Sequence, residues 1–467
     1  MPVYRQLAGT RTEHPQRTLC RRRLLQNAAA GFPLLSLHGL LAERRSAANN
    51  PLAPQQPHHP PRAKSVIFLF MGGGPSQVDL YDPKPQLHKY QKIPIKLPRI
   101  TRDATPNCRP SPFRFQQRGE AGIWISELLP HLARCADDLC VIRSMHCDQI
   151  EHSGAIRQLT TGDGVLPRPS VGSWTLYGLG SETDNLPGFV SIGAQGNLPG
   201  KPTYASSFLP TAFEGTSITD VNHPIDNLAM PVPRAIQSAR LAAIRRLSEQ
   251  HRQRRAEDRR LDARIAAYEL AFRMQTEAPA AFDLSRESQA MHRLYGLGDK
   301  NTAEYGRQCL LARRLVERGV RYVVANVNNK WDDHGDVHAH KKPAALSDQP
   351  VAALLTDLKA RGMLDETLVV WGGEFGRTPT AQGGGRDHHP YGFSMWLAGG
   401  GGRRGITYGA TDEFGFFAVD NQVHIHDLHA TILHLLGLDH EQLTYRYSGR
   451  DFRLTDVHGN VVREILA

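Results

Sequence analysis

Carboxylates and imidazoles crowd into three short segments of this 467-residue chain, each beside an apolar run. The first, Asn326–His338, holds Asp332, Asp333, His334, Asp336 and His338 directly after the run Val320–Ala325. The second, Trp371–Pro379, carries Glu374 and Arg377 at the end of Thr367–Trp371. The third, Gly385–Pro390, carries Arg386, Asp387, His388 and His389 just before Phe393–Leu397. Oxygen and imidazole donors at that density suit a divalent cation of zinc, manganese or calcium type. A single such cluster is more simply a set of turn residues bonding their own backbone. Three of them on successive strand ends point to metal or anion binding. A fourth segment, Glu151–Gly162, reads as a loop entering a short helix, with His152 and Ser153 at its start. Free N–H groups and the positive end of the dipole favour a bound anion there. The other reading makes Ser153 an N-cap.

These side chains need a scaffold that brings strand ends together. Lys64–Met71 is a continuous apolar run closed by Gly72, Gly73, Gly74 and Pro75. Buried parallel strands have this composition, and α/β ligand sites gather at their carboxyl ends. Further strands are expected at Asp138–Ile142, Val320–Ala325, Thr367–Trp371 and Phe393–Leu397, with helices over Glu304–Arg318 and Pro350–Arg361. The alternation predicts an α/β fold, a mostly parallel central sheet with helices on both faces. Residues 231–276 read as a long charged helix or helical hairpin, within an insertion of about 231–300. Asp451–Leu466 reads as a hairpin turning at His458-Gly459-Asn460.

The formal charge of +10 is concentrated at the N-terminus, where residues 1–48 hold eight Arg against two Glu. The basic cluster Arg245–Arg264 is interleaved with Glu249, Glu257, Asp258 and Asp262, a solvated helix face rather than a phosphate-binding stripe. No nucleic-acid partner is expected. Of six cysteines, Cys20 lies in the leader; no Cys-x-x-Cys pair occurs, and one bridge within 108–147 stays open. Arg21-Arg22-Arg23-Leu24-Leu25-Gln26 resembles a twin-arginine signal, followed by the apolar stretch Ala28–Ala42. Gly31, Pro33 and His38 interrupt that stretch, so no stable membrane span is expected. The expected organisation is a signal peptide over 1–48, a Pro-rich linker over 49–63 and one domain over 64–467. The implied partner is the twin-arginine translocation machinery, and the implied location periplasmic or secreted. An uncleaved anchor or an arginine-rich tail is the alternative.

The clusters, in this order, resemble the alkaline phosphatase-like superfamily, which includes the sulfatases. More closely, the chain resembles the bacterial family catalogued as domain of unknown function 1501, over roughly 64–466. The matching segments include Gly72-Gly-Gly-Pro-Ser-Gln-Val-Asp-Leu-Tyr-Asp-Pro-Lys84, Pro169–Trp174, Leu186–Val190, Ala281–Ser285, Trp331–His334, Gly373–Pro379 and Gly385–His388. Ile425–Gly437 is also similar to a helix of sulfatases, with Ala430 in place of a proline. The resemblance implies an alkaline phosphatase-like three-layer sandwich and metal-assisted hydrolysis of phosphate or sulfate esters. It implies Asp332, His334, Glu374 and His388 as ligands of a divalent metal ion, and His152 or Ser153 as nucleophile or acid/base. It implies Arg157 and Arg377 as anion-binding groups. The partner would be an anionic ester, with a sulfated extracellular polysaccharide one candidate. The pattern also departs from the superfamily: Phe375 stands where a ligand histidine is usual, and Gly72–Gly74 where an aspartate is. His152 registers on the usual nucleophile. These departures support the opposing expectation, an inactive secreted binding or scaffold protein on the same fold.

Overall fold

A strand that is apolar on both faces must be covered on both, and β1 (Ser65–Phe70) is buried at every position. The computed structural model describes residues 50–467 except 92, 94–106, 195–199, 222–223, 225–232, 254–268, 271–272 and 275–277. The expected signal peptide therefore lies outside the described residues; of the charged helix expected over 231–276, Arg234–Gln253 is helical and most of the rest lies outside them.

The central sheet adds to β1 the strands β2 (Leu139–His146), β3 (Phe189–Ile192), β4 (Thr216–Ile218), β5 (Tyr322–Asn326) and β6 (Thr367–Gly372). After a two-stranded ribbon, β7 (Gly376–Gln382) and β8 (Gly385–His389), come the sheet strands β9 (Phe393–Ala398), β10 (Ile406–Tyr408) and β11 (Val423–His424). The order is β10-β2-β9-β6-β1-β5-β3-β4, with β11 also on β2. All pairings are parallel except those of β9, which runs antiparallel to both neighbours.

The period-2 alternation divides the side chains of each strand between two cores. Ile67, Leu69, Val323, Ala325 and Val369 enter one, beneath α3 (Ala303–Val316) and α4 (Lys341–Ala360). Val66, Phe68, Val324, Leu368 and Val370 enter the other, beneath α1 (His152–Thr161), α2 (Val171–Leu179) and α5 (Ile425–Leu435). The fold is the three-layer α/β sandwich with a mostly parallel sheet. Among the described residues no helix is long and apolar enough to cross a membrane.

Four local expectations change. Helix α4 begins at Lys341, because Pro350 sits inside it rather than at its start. The hairpin expected at His458–Asn460 is absent; Tyr445–Tyr447 pairs with Arg450–Phe452 instead. Beyond it the tail bonds to α5, through Asn460 N to Asp427 Oδ1 at 2.7 Å and Val462 N to Thr431 Oγ1 at 3.0 Å. The Pro-rich segment is no free tether over its described part, since Gln55 N bonds Leu179 O and Arg62 N bonds Leu435 O. Cys108, Cys135, Cys140, Cys147 and Cys309 are free and buried, so no bridge forms within 108–147.

Candidate active site

The ends of β1, β5 and β6, the start of α1 and the β7–β8 ribbon meet at the carboxyl edge of the sheet. Close approach at the end of β1 depends on glycine. At Gly73 φ is +108°, and a Cβ there would lie 2.4 Å from Asp332 N. With only hydrogen at that position, the loop after β5 brings Asp332 against the β1 turn. Gly73 N also donates to Glu374, at 3.0 Å to Oε1 and 3.3 Å to Oε2. The ribbon supplies the other wall, where Arg377 and His388 are cross-strand partners and an irregular register follows Arg386.

Three groups converge on one point. His334 Nε2 lies 3.0 Å from Asp332 Oδ1 and 3.1 Å from His388 Nε2, and His388 Nε2 lies 3.7 Å from Asp332 Oδ1. His388 Nδ1 is bonded to Ile150 O at 2.8 Å, and His334 Nδ1 to Gln382 Oε1. Both imidazoles thus carry their protons on Nδ1 and aim Nε2 lone pairs inward, the orientation that a ligating histidine needs. Ligands on a tetrahedral ion with bonds of roughly 2.1 Å stand about 3.4 Å apart. The three separations bracket that value. One ligand atom each from His152, Asp332 and His388 also lies within 4.8 Å of the others. The donor set therefore fits a divalent cation.

Glu374 takes a different place from the one expected. It is fully buried, and its Oε1 lies 2.6 Å from His152 Nδ1. Gly73 N and His152 both use this carboxylate, so it holds the imidazole rather than joining the Asp332–His334–His388 trio. His152 Nε2 is 3.2 Å from Asp332 Oδ2, away from hydrogen-bond geometry, and is buried with no hydrogen-bond partner. Phe375, where a ligand histidine would be usual, packs on His152 and His388 at ring-centroid distances of 4.9 and 4.7 Å.

Burial alone would lower the pKa of His152, but the hydrogen bond to Glu374 and the charges of Asp332 and Glu374 outweigh it, and the pKa rises to about 9. Burial likewise opposes ionisation of Asp332, yet His152 and Arg377 hold its carboxyl far below the usual range.

Three further expected residues stand elsewhere or act otherwise. Arg377 is completely buried, and its N–H groups point at Gly73 O, Gly74 O, Asp332 Oδ1, Arg386 O and His334 Nε2. No pair of donors remains for the bidentate anion grip that the resemblance implied. Arg157 spends NH1 on Val165 O at 2.6 Å and Gly164 O at 3.4 Å, tying down the loop after α1 rather than facing the site. Ser153 is exposed on the first turn of α1, and the N-cap is Glu151.

The sequence profile of a family described as "Protein of unknown function (DUF1501)" matches residues 63–466. The chain belongs to the DUF1501 family. No curated protein matches it. Solved structures similar to this DUF1501 chain include a protein in the alkaline phosphatase superfamily from Vibrio parahaemolyticus. That pair shares 9% identity at a TM-score of 0.37, covering 83% of this chain and 70% of the other. The PsFucS1 sulfatase from Pseudoalteromonas sp. is 11% identical at a TM-score of 0.33, covering 85% and 72%. The phosphonate monoester hydrolase SpPMH from Silicibacter pomeroyi is 10% identical at 0.35, covering 86% and 76%.

Proposed function

We propose that this DUF1501 protein is an exported, metal-dependent hydrolase of sulfate or phosphate esters. The observation that carries the reading is the convergence of Asp332 and the Nε2 atoms of His334 and His388 beside a buried His152–Glu374 pair. Asp332, His334 and His388 would hold the cation, which as a Lewis acid would draw charge from an anionic ester oxygen.

The chain's own residues supply the rest. Glu374 accepts from His152 Nδ1–H and fixes the ring, so that Nε2 faces the trio. With its pKa near 9, His152 is protonated at neutral pH and serves as general acid. It gives its Nε2 proton to the leaving oxygen of the ester while water attacks phosphorus or sulfur, and the proton that this water sheds then returns to His152 Nε2. The backbone N–H groups of the first turn of α1 would offer the anion the positive end of the helix dipole. Export would be directed by residues 1–48, and an extracellular sulfated polysaccharide is the proposed natural substrate.

The test is turnover of aryl sulfate and aryl phosphate monoesters with metal supplied. Asp332→Ala and His152→Ala should each lose at least about 10²-fold, within the usual range for acid–base groups. Ser153→Ala and Arg157→Ala should stay within about twofold, as surface and loop substitutions do. Full turnover in both Asp332→Ala and His152→Ala would remove the proposed chemistry.

A further inference from the structure

Arg377 is surrounded by acceptors drawn from three separate chain segments. Its Nε donates to Gly74 O at 3.1 Å, NH2 to Gly73 O and to Asp332 Oδ1 at 2.7 Å, and NH1 to Arg386 O at 3.4 Å. Four oxygens, three of them backbone carbonyls, form a shell of the kind that hard cations take. No side-chain hydroxyl or amide group that could reverse polarity belongs to it. The remaining N–H lies 3.3 Å from His334 Nε2, whose single lone pair a bound ion would take in its place, so the shell shares only Asp332 with the adjoining trio. Glycine makes the shell possible. A Cβ on Gly74 would lie 2.7 Å from the Phe375 ring, and one on Gly73 2.4 Å from Asp332 N.

We propose that Arg377 is a built-in cation, a guanidinium occupying a second cation position beside the trio and limiting the site to one exchangeable metal ion. Arg377 is then a positioning residue. Its charge fixes Asp332 with one oxygen toward the trio, and it ties the β1 turn to the ribbon that carries His388. The inference rests on the metal reading above only for the number of ions; the cation shell itself is independent of that reading.

The experiment combines metal counting with chemical rescue. Wild type, Arg377→Lys, Arg377→Met and Arg377→Ala are equilibrated with zinc or manganese, and bound metal is counted by elemental analysis. Each is also melted with and without guanidinium chloride at about 10 mM, against sodium chloride at equal ionic strength. Wild type should hold one ion and ignore guanidinium. Arg377→Ala should either bind a second divalent ion or gain several degrees in Tm with guanidinium but not with sodium. Arg377→Lys, which keeps a charge, should hold one ion and melt well above Arg377→Met. An Arg377→Ala protein with an unchanged ion count and no response to guanidinium overturns the proposal. If Arg377→Ala is insoluble, equal melting of the Lys and Met variants overturns it, and a higher-melting Lys variant supports it. A metal-free wild type whose Ala variant still responds to guanidinium would sink the hydrolase reading and leave the built-in cation standing.

Discussion

Asp79 and Arg386 form the buried ion pair that anchors the β7–β8 ribbon to the segment after β1, and separating them should cost several kcal/mol. Asp79 is 0% and Arg386 1% exposed. The contact is bidentate, Nε to Oδ2 at 2.7 Å and NH2 to Oδ1 at 3.1 Å, with Ser76 Oγ a further 2.5 Å from Oδ2. Burial opposes ionisation of Asp79, but Arg386, His340 and Ser76 outweigh it and keep the carboxyl below its ordinary range. Asp79→Asn preserves shape and leaves a guanidinium buried without its counter-charge, a loss of about 3–5 kcal/mol. Arg386→Met strands the carboxylate and should cost a similar amount. Replacing both, as Asp79→Leu with Arg386→Met, removes two desolvation penalties and should fall within about 1–2 kcal/mol of wild type. Urea unfolding of wild type, Asp79→Leu, Arg386→Met and the double variant measures the cycle, with unchanged m-values as the check on its validity. A double variant destabilised by the sum of its single variants would refute the argument, because the pair would then have no coupling. The single variants should also bind metal more weakly, since His388 rides on the same ribbon.

Glu374→Gln keeps an acceptor for His152 Nδ1 but removes its charge. The pH at which the proton-donor limb of kcat falls should move down from about 9, with turnover reduced by about 10²–10⁴-fold; an unmoved limb would show that Glu374 does not tune His152. Stability should decline between pH 6.5 and about 4, because burial lowers the pKa of His340 to about 4 and that of His429 to about 3. In that window the unfolded chain takes up protons that the folded chain refuses, so stability is full above 6.5. Each histidine then accounts for up to about 2 kcal/mol of loss by pH 5. Chemical denaturation across pH, with His429→Gln and His340→Gln flattening the slope, checks it.

The sheet was legible because its strands are defined by burial on both faces: Ser65–Phe70, Thr367–Gly372 and Phe393–Ala398 lie within a residue or two of their apolar runs. The β7–β8 ribbon was not. Beyond Gly376, Pro379 and Gly385, its buried positions are Arg377, Thr378, Thr380, Arg386, Asp387, His388 and His389, polar groups that no hydrophobic periodicity reports. They are buried by mutual pairing, and only the tertiary fold brings Asp79 within reach of Arg386 across three hundred positions. For the same reason Glu374 looked like a metal ligand; its partner His152 is 222 residues away. Arg377 read as an anion grip, since its donors are consumed by Gly73 and Gly74 carbonyls that sequence cannot place. The closing segment failed differently: His458-Gly459-Asn460 is good turn chemistry, but α5 takes the backbone donors that a hairpin would use.

The central claim is that Asp332, His334 and His388 bind one divalent ion. Crystals soaked in zinc and measured at the zinc absorption edge test it most directly. The account predicts one anomalous peak per chain, with Asp332 oxygen and the Nε2 atoms of His334 and His388 at about 2.0–2.2 Å. That peak should vanish in Asp332→Ala. A soaked wild-type crystal with no peak there, or with a peak unchanged in the variant, would contradict it.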